Sequence, residues 1–301
     1  MSATMLQLVT QATGELGIPV PSYVAGNTNQ DVTQILALLN ACGYELSREY
    51  NWQALNKSYI FTVSYTSITG DTTDGSSNLT NASSISGIDS TYQISGDGLN
   101  QATYVSGTPS GTTIGLSQPA TSTNIGSTYT LGKVKYSLPS DYDRLIPRTH
   151  WDKSKHWEMM GPETPQQWEW LISGYISTGP RVRWRLFGNY FQLWPLISTS
   201  EVLGFEYVSN AWAADTGGTA QSSFTADTDT CIFPDRLMVL ALKKKYMEIK
   251  GFDTTAIERD YLTQLGIAKS ADGGSPNLSY SPRISTILIG WEQIPDSGYG
   301  S

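Results

Sequence analysis

Two histidines, three glutamates in a tryptophan-rich stretch and two cysteines are the side chains of this chain best suited to chemistry. His150 and His156 lie six positions apart with no cysteine near them. A metal site needs several N, O or S ligands that converge. These two histidines read instead as exposed or half-buried aromatic positions beside Trp151 and Trp157. Glu158, Glu163 and Glu169 sit among tryptophans, as the paired carboxylates of sugar-cleaving sites often do. Glu163, however, falls in a Pro-bounded turn and Glu169 on a helix surface. There is no Gly-x-Ser-x-Gly elbow and no Walker loop, and Gly96-Asp97-Gly98 lacks the strand-then-helix context of a phosphate-binding turn. Cys42 and Cys231 read as buried free thiols. The expectation is a protein that is not an enzyme, with no catalytic residue, no cofactor and no metal.

The elements around these residues follow from periodicity. Met5, Val9, Ala12 and Leu16 share one face of a first helix, capped by Thr4 or Ser2 and stopped by Gly17 and Ile18-Pro19. A second helix runs from Gln30, behind the cap Asn29, to near Tyr50, with Val32, Ile35, Leu36, Leu39, Cys42 and Leu46 as its stripe. Trp52 and Leu55 are expected to tuck under the strand Tyr59–Val63 that follows. Thr66 to Thr130 then has no Lys, Arg or Glu and is dense in Ser, Thr and Gly. Short apolar groups recur between its turns, as in an all-β module. Val134–Tyr136 brings the chain back, and it is expected to pair with Tyr59–Val63 at the neck.

The next region holds Trp151, Trp157, Trp168, Trp170, Trp184, Trp194 and Trp212. They suit either the core of a small sheet or anchors at a subunit interface. Pro165 after Thr164 opens a short helix. Arg181–Leu186 and Tyr190–Pro195 form a hairpin about Gly188-Asn189, and Glu201–Val208 adds a strand. Pro234 opens a helix that ends at Gly251 and carries Lys243-Lys244-Lys245, either a solvated face or an edge for an acidic neighbouring subunit. A last helix carries Ile257, Tyr261, Leu262 and Leu265. The fold class is α+β: a helical bundle, a Trp-rich antiparallel sheet and an inserted all-β module. Residues 1–57 and 134–271 form the core, 58–133 the β-sandwich-like insertion and 272–301 an extended arm. Ile284, Ile287, Leu288, Ile289 and Trp291 on that arm are the expected partner-binding residues, since apolar side chains on an extended tail need a surface to cover them.

Composition narrows the function. The chain has 301 residues, 39% hydrophobic and 11% aromatic, enough for a real core. Its net charge of −8 argues against a basic nucleic-acid groove and against an anionic membrane as partner. Met1-Ser2-Ala3-Thr4 has no basic segment before a long apolar one, so no signal peptide is expected, and no apolar run approaches the ~18 residues of a membrane span. The protein is expected to be made in the cytoplasm and kept there or assembled into something larger.

Leu8-Val9-Thr10-Gln11-Ala12 through Leu16-Gly17-Ile18-Pro19, with Gln34–Asn40, resembles the paired N-terminal helices of head-to-tail adaptor (connector) proteins of tailed phages. Tyr136–Tyr142, Trp151-Asp152, Gly161–Trp168 and Gly204–Trp212 resemble stretches of the adaptors of short-tailed phages. The insertion is similar to small β-modules of phage structural proteins, with Leu99-Asn100 where those more often have Ile-Pro. The resemblance implies a virion structural protein in the neck, assembled in the host cytoplasm. It would form a ring, expected to be dodecameric, that closes the portal protein after DNA packaging and receives a tail nozzle, tail tube or tail fibre. Genomic DNA would pass through its channel without specific binding. The alternative is a tail-fibre or receptor-binding protein whose insertion binds glycan.

Overall fold

The computed structural model describes residues 2–173 and 181–273. Two helices come first, α1 (Met5–Leu16) and α2 (Gln30–Glu49). After β1 (Asn56–Thr62) come six strands of an inserted sheet: β2 (Tyr65–Thr72), β3 (Asn78–Thr80), β4 (Tyr92–Ser95), β5 (Thr103–Tyr104), β6 (Ile114–Gly115) and β7 (Asn124–Lys133). The chain then forms β8 (Lys135–Ser137), β9 (Tyr142–Leu145), β10 (Trp151–Asp152) and β11 (Trp157–Glu158). Helix α3 (Pro165–Ile172) precedes the hairpin β12 (Arg183–Phe187) and β13 (Tyr190–Trp194), then β14 (Val202–Ser209). Three two-residue strands, β15 (Ala213–Ala214), β16 (Ala220–Gln221) and β17 (Thr230–Cys231), lead to α4 (Asp235–Lys250) and α5 (Thr255–Gly273). The class is α+β.

The helices form where caps and apolar spacing agree. Thr4 and Gln7 close a capping box on α1, the Oγ1 of Thr4 accepting from the Gln7 N–H and the Gln7 side chain from the Thr4 N–H. Asn29 caps α2 by accepting the Asp31 N–H at 2.9 Å. Gly17 and Gly251 end α1 and α4 in the left-handed region, at φ 71° and 75°. Helices α1, α2 and α5 all pack against α4, around Leu8, Leu39, Leu46, Leu237, Met238 and Leu265. Trp52 and Leu55 join this helical core rather than lying under β1, because the Trp52 indole N–H donates to the Leu46 carbonyl at 2.6 Å and holds the chain back against α2. Cys42 and Cys231 are buried free thiols, and burial pushes both up to about 12.

The second core lies between two antiparallel sheets. One has the order β1-β14-β10-β11 with β9 also on β14, and the other the order β12-β13-β8. Phe205, Tyr207 and Leu203 of β14 meet Trp184, Phe191 and Leu193 of the hairpin. The expected neck pairing of Tyr59–Val63 with Val134–Tyr136 does not form. β1 pairs instead along its whole length with β14, from Asn56↔Val208 to Thr62↔Val202, and β8 pairs with β13. A seven-residue ladder satisfies more backbone groups than a three-residue neck. β1 is therefore a core strand, although it falls inside the expected 58–133 insertion. The chain passes into the inserted sheet at Ser64, whose carbonyl accepts the Lys133 N–H at 2.8 Å.

That inserted sheet has the order β5-β4-β7-β2-β3-β6 and its own core of Ile68, Leu79, Ile94, Ile114, Tyr129 and Leu131. A fourth cluster joins it to the rest: Ala102 and Tyr104 pack with Trp168 and Leu171 of α3 and Trp194 of β13. Helix α5 runs on to Gly273, past the expected start of the arm at 272. Ile284, Ile287, Leu288, Ile289 and Trp291 lie outside the described residues.

Candidate functional site

The structure separates the residues that could do chemistry. His150 is buried, not half-exposed, for a reason of strand alternation. Trp151 takes the outer face beside Gly204, so His150 and Asp152 on either side of it point inward. The imidazole stacks 4.0 Å from the Trp184 ring and lies 6.0 Å from Phe191 and 5.7 Å from Phe205. Burial lowers its pKa to about 4, so it is neutral at pH 7. His156 is exposed on the β10–β11 turn. Glu158 stands 4.0 Å from Arg148, and Glu163 accepts from Arg183 at 2.6 Å. Glu169 is exposed on α3. Among the described residues no three His, Cys, Asp or Glu side chains gather as a metal site requires.

The lysine run is internal bracing rather than a free edge. Lys243 donates to Glu15 of α1 at 2.7 Å, Lys244 to Glu258 of α5 at 3.0 Å, and Lys245 to Glu45 of α2. Three successive residues on one helix point in three directions, and each meets the helix packed on that side. Burial would raise the Glu15 carboxyl, but hydrogen bonds from Lys243, Gln11 and Arg236 reverse this and hold it at about 2. The tryptophans divide. Trp52, Trp168, Trp184, Trp194 and Trp212 are core, while Trp157 and Trp170 are 39% and 55% exposed.

A carboxyl pair that sequence reasoning missed lies where β10 meets β14. Asp152 and Glu201 are both buried. Asp152 Oδ1 accepts the N–H of Ser154 at 2.9 Å and of Lys155 at 3.0 Å. Glu201 takes the Lys155 ammonium at 2.5 Å and the Thr199 hydroxyl at 2.7 Å, while its carbonyl receives the Val63 N–H. Burial, aided by the neighbouring Glu201 charge, raises Asp152 above the usual carboxylate range. Glu201, though also buried, is lowered by Lys155 and Thr199. The two carboxyls are thus shifted in opposite directions, and together they hold the β10–β11 turn onto the start of β14. Asp152-Lys153-Ser154-Lys155 carried the signal of an Asx turn. Nothing in the sequence placed Glu201 beside it.

Above this pair, on the outer face, the sheet forms a cleft of about 610 Å³. Ile60, Gly204 and Trp151 form one cross-strand row, and Ser58 and Glu206 face each other in the next. Gly204 lets the Lys153 side chain cross the floor, since a Cβ there would lie 2.9 Å from the Lys153 Cε. The stretch between Leu145 and Trp151 bulges over β14, pinned by the Glu206 N–H donating to the Thr149 hydroxyl at 3.1 Å. That bulge carries Arg148 to one wall, and the β10–β11 turn carries Lys153 and His156 to the cleft.

The other surface of note is helical. Along its 19 residues α5 buries only Leu265 and Ala268. Leu262 and Ile267 are each 56% exposed, and so at the end of α4 are Ile249 and Phe252, at 53% and 61%. Among the described residues no helix is long and apolar enough to cross a membrane. The chain matches no protein-family model and no curated protein.

Proposed function

We propose that this protein is a structural component of a phage virion, a head-to-tail adaptor that assembles as a ring between the portal and the tail of a short-tailed phage. The observation that carries this reading is the helical surface of α4 and α5. A helix that buries two residues out of 19 gains little from its own chain. Leu262 and Ile267 stand five positions apart and so on different sides of α5, which suits a helix covered by neighbours on more than one side. Head-to-tail contacts between unlike surfaces give a ring when the rotation between neighbours closes. The resemblance of α1 and α2 to adaptor helices supports the same reading, and the net charge of −8 suits a channel wall that DNA slides past. The protein does its work by binding, and its partners are the portal, a tail component and further copies of itself.

The test is native mass spectrometry of the protein alone and with portal rings. Rings are expected, and Leu262→Asp with Ile267→Asp is expected to return them to monomers with the same circular dichroism. A double variant that assembles on portal rings as the parent does would refute the assignment of this surface. Failure of the parent to bind portal rings would refute the adaptor reading itself.

A further inference from the structure

The cleft on the outer face of β1, β14 and β10 is not needed for ring assembly through α5, and it has the features of a binding site. We propose that it binds an anionic saccharide: a sugar ring lies against Trp151, and its carboxylate or phosphate is held by Arg148 and by Lys153, whose side chain crosses Gly204.

Three observations converge. The first concerns charge. Cations elsewhere in the chain are mostly engaged: Lys57, Lys155, Arg183, Arg236, Lys243, Lys244 and Lys245 each meet a carboxylate within 3.0 Å. At the cleft, Lys153 and His156 have no ion pair among the described residues, and Arg148 reaches Glu158 only at 4.0 Å with a side chain 75% exposed. The second is backbone strain. Arg148 and His156 are non-glycine residues in the left-handed region, at φ 64° and 58°. Such a conformation is disfavoured for a residue with a Cβ and persists where surrounding structure enforces it, often at ligand sites. Two of them flank one cleft, and both present a basic side chain. The third is shape. The cleft of about 610 Å³ has the half-buried Trp151 as one wall and the Lys153 side chain crossing Gly204 as its floor, with the Ser58 hydroxyl and the Glu206 carboxylate on the adjacent row to meet sugar hydroxyls.

The whole-molecule charge of −8 decides between small and polymeric anions. A nucleic acid backbone brings many phosphates to a surface that repels most of them. A sugar with one or two charges meets only the local cluster. An acidic peptide would match the charge but makes no use of the flat aromatic wall.

The experiment is isothermal titration calorimetry of the full chain with digalacturonate and with glucose 6-phosphate, one for each source of the anion. Lactose and glucose serve as neutral counterparts, and a hexaglutamate peptide as the competing class. At least one acidic sugar is expected to bind with Kd on the order of 0.1–1 mM at low salt, with the matching neutral sugar about tenfold weaker. Lys153→Gln is expected to weaken binding about tenfold, and Gly204→Val to abolish it by displacing the Lys153 side chain into the cleft. Arg148→Gly is the guard against misfolding. It relieves the left-handed strain, so it should keep or raise the melting temperature while losing about tenfold in affinity. The proposal is overturned if neither acidic sugar binds at millimolar concentration, if neutral sugars bind equally well, or if hexaglutamate binds more tightly than both. It is equally overturned if Arg148→Gly and Lys153→Gln bind as the parent does.

Discussion

Replacement of Gly43 by alanine sets two well-understood effects against each other, and the structure decides the sign. Gly43 lies inside α2, where alanine is preferred to glycine by about 1 kcal/mol on helix propensity. A Cβ at this position, however, would stand 2.3 Å from both Cη2 and Cζ2 of Trp212 and 2.5 Å from Cε2. The indole cannot swing away. It is fully buried, with Phe224 edge-on at 5.0 Å and Phe233 at 6.3 Å. Overpacking of a rigid core costs about 1–3 kcal/mol, and so close an approach to a ring belongs at the upper end. The expected net effect is a loss of about 2 kcal/mol, or about 3 °C in melting temperature for a chain of this size. Urea unfolding followed by far-ultraviolet circular dichroism measures it. In a Trp212→Phe background the outer indole atoms are gone, so Gly43→Ala should become neutral or stabilising by up to about 1 kcal/mol. A stabilising Gly43→Ala in the parent, or an equal loss in both backgrounds, would refute the argument that ring contact governs this site.

Two further perturbations test other parts of the fold. His150 must stay neutral to fold, since burial lowers it from 6.5 to about 4. The unfolded chain therefore binds the extra proton first, and stability falls as pH drops from 6.5 towards 4. His150→Phe should abolish this part of the acid sensitivity in pH-resolved urea melts, and an unchanged pH profile would count against it. Excision of residues 65–132, with Ser64 joined to Lys133 by about two or three linker residues, should leave the helical circular dichroism intact. It should also raise binding of an apolar dye, because Trp168, Leu171 and Trp194 lose Ala102 and Tyr104 as cover. Loss of the helical signal would show that the helices depend on the inserted sheet.

Local signals in the sequence were reliable. Thr4, Asn29, Gly17 and Gly251 marked helix ends, and Gly188-Asn189 marked a hairpin whose arms pair from Arg183↔Trp194 to Phe187↔Tyr190. Each of these depends on residues a few positions apart. What sequence did not reveal depends on residues far apart. The partner of β1 is β14, nearly 150 positions on, and the shorter separation to Val134–Tyr136 made a neck pairing look natural. The burial of His150 follows from which face Trp151 takes, and that is settled only when β10 lies against Gly204. The lysine run looked like a solvated face or a free edge because Glu15, Glu45 and Glu258 come from three other helices. The cleft depends on a bulge over β14 and on the missing side chain of Gly204, and neither leaves a motif.

The packing of α1 and α2 on α4 also fixes an order of events during synthesis. Residues 5–49 leave the ribosome first, but their apolar stripes have no permanent cover until residues 235–250 follow. At about 5–20 residues per second, this interval lasts roughly 10–40 s. The inserted sheet closes on itself between Tyr65 and Lys133, so it can be complete while the helices still wait. The nascent chain thus carries a finished β-module and an unfinished helix pair while the residues between Lys133 and Lys250 are being added. Its exposure to chaperones and to premature association is set by the distance between α2 and α4, more than by the stability of the finished protein.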